Sequence, residues 1–225
     1  MGSTVHIIVG HYGSGKTEFA VNYAINLKRN GADVALADLD IVNPYFRTRQ
    51  QADMLGARGI NVVSSNLGND WKIDIPALSG ALQSFFIESG RENVIDVGGN
   101  AVGARVLARF RDEIIEGHYD MWMVVNANRF ESQTAEQAIS FAESIMQTSG
   151  LHITGAINNT HMLRETTIED ILHGSKVTEE VCRRMNIPCI YTVCPQFLLE
   201  ACKQKKGQIV GELFPIEMFM RPQYL

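Results

Sequence analysis

Residues Gly10–Thr17 read GHYGSGKT, the spacing G-x-x-x-x-G-K-[ST]. An apolar run precedes it and a helical pattern follows, the setting in which this spacing cradles phosphate. Gly13 and Gly15 let the backbone turn so that successive N–H groups face phosphate oxygens. A helix opening near Lys16 adds the positive end of its dipole. Lys16 is spaced to reach β- and γ-phosphates, and the Thr17 hydroxyl to ligate Mg²⁺. The candidate nucleotide cradle is therefore Gly10, His11, Tyr12, Gly13, Ser14, Gly15, Lys16, Thr17 and Glu18.

Such a loop needs acids near the metal and near an attacking water. One apolar run ends in Asp38-Leu39-Asp40 and another in Asp96-Val97-Gly98-Gly99. Residues at strand ends project into the crevice beyond a parallel sheet's carboxyl edge. Asp38 and Asp96 are placed to hold Mg²⁺ through water, and Asp40 to orient or activate water. The Gly99 N–H is placed for the γ-phosphate. A strand-end Asp also serves as a turn or helix cap, the plain alternative for each acid.

The elements that must position these groups alternate in type. Candidate strands are Thr4–Gly10, Asp33–Asp38, Ile60–Ser64, Asn93–Val97, Asp120–Asn126, His152–Asn158 and Ile187–Val193. Most are near-continuous apolar runs, as in a parallel sheet covered on both faces. Helical patterns fall at Thr17–Arg29, Pro76–Ser89, Ala101–Glu116, Ser132–Thr148 and Thr178–Met185, with Asn66–Ile75 and the stretch after Asn159 as long loops. The alternation predicts an α/β, doubly wound, mostly parallel sheet of about seven strands with helices on both faces, filling residues 1–225 as one domain.

Composition narrows the class. The 225 residues are 45% hydrophobic and 20% charged, which excludes a disordered or fibrous chain. No apolar stretch approaches the ~18 residues of a membrane span. A net charge of −5 argues against a broadly basic nucleic-acid surface. The four cysteines form no C-x-x-C pair and suit a reducing, cytoplasmic setting; Cys182, Cys189 and Cys202 read as small hydrophobes, and Cys194 as a residue near the nucleotide base. No histidine pair has metal spacing on one helix.

GHYGSGKT, Asp38–Asp40 and Asp96–Gly99 together resemble the MinD/ParA-type (CobQ/CobB/MinD/ParA) ATPases of the P-loop class. The resemblance runs from the loop to about Pro195. It implies ATP and Mg²⁺ as cofactors. It places Asn159, at the end of GAINN, on the adenine edge, with a loop-capping Asn as the alternative. It places the residues near Pro195–Phe197 over the base. A guanine reader carries an Asp three residues after such an Asn; here that position is Met162, which favours ATP over GTP. The family's second lysine follows the first glycine of the loop, and here that position is His11. Arg47 or Arg49, beyond Asn43-Pro44, could supply the missing charge, against the plain reading of solvated arginines.

Other signals are weaker. Trp71 and Asp74-Ile75-Pro76 suit a partner surface or a packed loop. Asn126, Asn128 and Arg129 end a strand on the active side. Lys203–Lys206 is a short basic run that suits a solvated helix end, and the tail Gly207–Leu225 has too few basic residues for an amphipathic membrane helix. The resulting expectation is a slow Mg²⁺-dependent ATPase that switches a partner protein or a second copy of itself, away from membrane and nucleic acid. A small-molecule ligase or amidase of the same superfamily, dethiobiotin synthetase-like, and an ATP-binding module with negligible hydrolysis stand as alternatives.

Overall fold

Val5–Val9 is apolar at every position but His6, with Ile7 and Ile8 on opposite sides of the strand alternation, which calls for a strand covered on two faces. The computed structural model describes residues 4–39, 48–64, 85, 90–99, 101–116 and 118–220, and this run lies at its centre. The strands are β1 (Thr4–Gly10), β2 (Val34–Leu39), β3 (Asn61–Ser64), β4 (Glu92–Val97), β5 (His118–Val125), β6 (Gly155–Asn158), β7 (Cys189–Pro195) and β8 (Glu212–Ile216). They form one eight-stranded sheet in the order β3-β2-β4-β1-β5-β6-β7-β8, and every neighbouring pair is parallel. The chain winds outward from β1 in both directions, so the switch point of the sheet falls at the carboxyl end of β1.

The helices among the described residues are α1 (Lys16–Arg29), α2 (Thr48–Ala57), α3 (Ala101–Arg109), α4 (Arg111–Glu116), α5 (Ala135–Ser149), α6 (Ile168–Met185) and α7 (Leu199–Gln204). Two apolar cores cover the two sheet faces. Ile7, Val9, Ile95 and Val97 point to one, with Ala104, Leu107, Ala138 and Ile145 from α3 and α5. Ile8, Leu36 and Val94 point to the other, with Phe19, Ala20 and Ala24 from α1 and Leu55 from α2. Helix starts follow their local signals. Thr134 and Gln137 form a reciprocal capping box on α5, and Thr167 and Asp170 one on α6.

Several expected boundaries shift for identifiable reasons. The sheet has an eighth strand in the tail: Glu212–Ile216 pairs with β7, and Pro215 is tolerated because β8 is an edge. The expected strand from His152 begins only at Gly155, because the Thr154 hydroxyl accepts the Met121 N–H at 2.9 Å in place of a ladder carbonyl. The expected helix Ala101–Glu116 is two helices meeting at the buried Phe110, and Asp112 and Glu113 give the second its own acidic first turn. The loop expected after Asn159 is short, since α6 starts at Ile168 and absorbs Thr178–Met185. The expected helix Pro76–Ser89 lies outside the described residues except Phe85, which is buried in the core.

Candidate functional site

Gly13 and Gly15 hold φ of 76° and 80°, the left-handed region that side chains disfavour. Gly15 caps α1, so the turns required by the glycines bring the loop onto the N-terminus of a fourteen-residue helix. Gly99 presses on this loop from β4. A Cβ there would stand 3.0 Å from the Tyr12 nitrogen, so only glycine fits. The side chains of the loop divide. Lys16 is buried and Thr17 half-buried, and both line a cleft, whereas the fully buried Ser14 is turned into the fold and offers the cleft only backbone. Tyr12 is exposed at its mouth.

The two acids come together through strand register. Asp38 and Asp96 are direct partners across β2 and β4, on the face that α1 covers. The Thr17 hydroxyl donates to Asp96 Oδ2 at 2.5 Å, and Asp96 is buried. A hydroxyl and two carboxylates at one level are hard oxygen donors of the kind Mg²⁺ takes, with phosphate and water completing its shell. Asp40, Arg47 and Trp71 lie outside the described residues, as do Asn43, Pro44, Asp74 and Pro76. Arg49 falls in the backbone of α2.

His11, in the position of the second lysine, does not supply a charge. Its ring packs on Phe141 of α5 with centroids 4.1 Å apart. Burial holds its pKa below the ordinary 6.5, outweighing the opposing pull of Glu131. The imidazole is therefore neutral at pH 7.

The loops after β5 and β6 are tied to the phosphate loop by a buried polar network. Asn159 is buried, and its Nδ2 donates to the Ser14 carbonyl at 2.8 Å. Asn126 is fully buried; its Oδ1 accepts the N–H of Asn128 and His161, and its Nδ2 reaches the Gly13 carbonyl at 3.4 Å. Arg129 Nε donates to the same carbonyl at 3.2 Å. Asn128 Nδ2 donates to Asp170, the partner of Thr167 in the capping box of α6, at 2.8 Å. Asn126 and Arg129 were weak signals in sequence. His161, which lies over Gly15, carried no sequence signal beyond its distance from the Asn158-Asn159 pair.

The cleft runs from this loop toward the sheet edge at β8. Its outer part is apolar: Val193, Pro195, Ile216, Met218 and Met220. The wall that carries Met218 and Met220 is a strap after β8, clamped to α1. The Glu18 carboxylate accepts the N–H of Phe219 at 2.6 Å and of Met220 at 3.2 Å. Asn22 pairs with both backbone groups of Glu217, at 2.9 Å each. Thus Glu18, expected at the nucleotide, directs its carboxylate to the strap. Cys194 is buried behind Pro195, and burial, with Cys202 beside it, raises its thiol pKa to about 12. Lys203 pairs with Glu200 at 2.7 Å on exposed α7.

Among the described residues no group of three or more His, Cys, Asp or Glu could hold a metal by itself, and no helix is long and apolar enough to cross a membrane. No protein-family model matches the chain, and no curated protein matches it in sequence. Solved structures match in fold. Chloroplast FtsY from Physcomitrella patens is 18% identical over 85% of this chain and 58% of its own, with a TM-score of 0.56. The signal recognition particle receptor FtsY from Elizabethkingia anophelis, in complex with GDP, is 17% identical over 85% of this chain and 57% of its own, with a TM-score of 0.56. A nucleotide-binding protein from Archaeoglobus fulgidus, in complex with ADP, is 16% identical over 92% of this chain and 88% of its own, with a TM-score of 0.52. The chain thus spans under three-fifths of the length of these FtsY structures. Taken with the parallel sheet and the glycine loop at its switch point, these likenesses show that the chain has the α/β fold of P-loop nucleotide-binding proteins.

Proposed function

We propose that this protein binds ATP with Mg²⁺ and hydrolyses it slowly, as a MinD/ParA-type switch acting on a partner protein or a second copy of the chain. The observation that carries the reading is the Thr17–Asp96 hydrogen bond beneath a loop with two left-handed glycines, with Asp38 in register beside it. Backbone N–H groups from Gly13 to Thr17 and the α1 N-terminus hold the phosphate chain, and Lys16 neutralises it from the cleft wall. Thr17, with Asp38 and Asp96 behind it, would hold Mg²⁺. When bound, the ion polarises the phosphate oxygens and offsets developing charge. Asp40 is the group assigned to the attacking water. The base lies along the apolar wall near Pro195, with Asn159 at its inner end. Met162, in place of an acid, supports adenine over guanine.

Titration calorimetry with ATP and GTP, each with and without Mg²⁺, tests this. The expected result is Mg²⁺-strengthened ATP binding with GTP at least ~10-fold weaker, the scale of one lost polar partner. Lys16→Ala should abolish detectable binding. Equal affinity for the two bases would sink the ATP assignment, and no binding of either would sink the reading as a whole. Turnover that rises more than linearly with protein concentration supports a second copy as the partner, and turnover strictly proportional to it argues against that.

A further inference from the structure

Arg129 follows β5 and belongs to none of the motifs that led to the site. Its Nε donates to the Gly13 carbonyl at 3.2 Å. The guanidinium lies against the Cα of Gly13, so closely that a Cβ there would meet Nε at 3.1 Å and Cζ at 3.3 Å. In a loop built this way, N–H groups turn into the anion hollow and the carbonyls turn out. A donor on the Gly13 carbonyl therefore stands at the rim of the hollow, and Arg129 lines the same cleft as Lys16 and Thr17.

The turn that carries Arg129 is fixed in place. Its N–H bonds Asn126 O at 3.0 Å, its carbonyl accepts Ser132 N at 2.9 Å, and Ser132 Oγ closes on Asn126 O at 2.7 Å. Asn126 itself reaches the Gly13 carbonyl. No carboxylate among the described residues pairs with Arg129. A guanidinium carries five N–H donors in a rigid fork, and only Nε is engaged on Gly13. Among the described residues the terminal amino groups take no hydrogen bond, and Arg129 lines the cleft.

The site needs such a charge. Lys16 is the only lysine or arginine between Gly10 and Thr17, and the His11 ring is packed against Phe141. A nucleoside triphosphate carries about four negative charges, of which Mg²⁺ and one lysine offset about three. Gly13 lies three residues before Lys16, whose side chain is spaced to reach the β- and γ-phosphates, and both line the cleft that Arg129 lines.

We infer that Arg129 is the second phosphate-binding cation of the cleft, taking the γ-phosphate of a nucleoside triphosphate from within the same chain. This rests on the nucleotide reading above. It makes Arg129 a reader of the third phosphate, since a diphosphate lacks the group it faces.

The test compares ATP and ADP affinities, in Mg²⁺, for the wild type, Arg129→Gln and Arg129→Lys. Gln keeps an N–H donor for Gly13 and loses the charge, whereas Lys keeps the charge. The expected result is ATP weakened roughly tenfold to a hundredfold by Gln, the range of a charge-assisted hydrogen bond, with ADP changed less than about twofold. Lys should restore most of the ATP preference. If ATP and ADP weaken by the same factor, Arg129 only braces the loop and the inference falls. It falls also if Lys behaves as Gln does, or if neither variant alters the ratio. A wild-type protein that binds neither nucleotide overturns the nucleotide reading itself, an outcome separate from a retained ATP:ADP ratio in the variants.

Discussion

His11 shows how one ring's surroundings settle its role. Packed against Phe141 and half-buried, it is held toward the neutral form by desolvation, which outweighs Glu131. Its folded pKa lies below the unfolded value of about 6.5, so at acid pH the unfolded chain binds the extra proton first. Its contribution to stability is therefore complete above pH ~6.5 and is lost as pH falls through the lowered folded value. Urea midpoints at pH 7 and pH 5 check this: the wild type should lose more stability on acidification than His11→Gln. Identical losses would show that the ring is not held neutral by the fold. The same local logic separates Thr17 from Ser14. Both hydroxyls belong to the loop motif, but Thr17 is bound to Asp96 in the cleft and Ser14 is enclosed in the fold.

Among the elements, the strap after β8 has the most consequence for the cleft. It joins residues 201 positions apart, from Glu18 to Phe219, and it supplies Met218 and Met220 to the apolar wall. Glu18 is the second residue after Lys16, so one helical turn carries both the side chain proposed for phosphate and the clamp on the opposite wall. Glu18→Ala leaves two strap N–H groups without their carboxylate, a loss of about 1–3 kcal/mol in unfolding free energy. The expected signature is a lower urea midpoint with faster amide exchange at Phe219 and Met220. Unchanged exchange at those two amides would show that the strap is held by Asn22 and packing alone. A second element-level constraint sits in α6, where Gly174 packs on the side chains of Asn158 and Thr160. That helix approaches β6 closely because a residue with no Cβ lies at the contact, which in turn fixes the loop that carries Asn159.

At the scale of the molecule, the two cores share every central strand, because successive residues of β1, β2 and β4 point to opposite faces. Neither face can be lost without exposing the other side of the same strands. Urea unfolding should therefore be a single cooperative transition, as expected of one domain. A nucleotide bound only to the folded chain raises its unfolding free energy by about 2.7 kcal/mol at a hundred times its Kd. Mg²⁺-ATP at that excess should shift the midpoint upward accordingly. Two resolved transitions would contradict the single-domain reading, and a midpoint indifferent to Mg²⁺-ATP would count against nucleotide binding.

The sequence by itself determined the parts whose physics is local. GHYGSGKT needs left-handed glycines at positions 13 and 15, and the structure holds both there. Continuous apolar runs require a sheet covered on two faces, and strand-end acids fall at its carboxyl edge whatever the strand order. The tertiary structure decided what depends on that order. The order β4-β1-β5-β6 puts the loops after β5 and β6 beside the phosphate loop, and so brings Asn126, Arg129 and Asn159 onto the backbone of Gly13 and Ser14. It also made an eighth strand of a tail that carries Pro215, because an edge position asks for no N–H there. Strand-end position put Arg129 on the active side, but neither its bond to Gly13 nor the strap could be read from spacing, since hydrogen bonds across 116 and 201 residues leave no periodic trace in the chain.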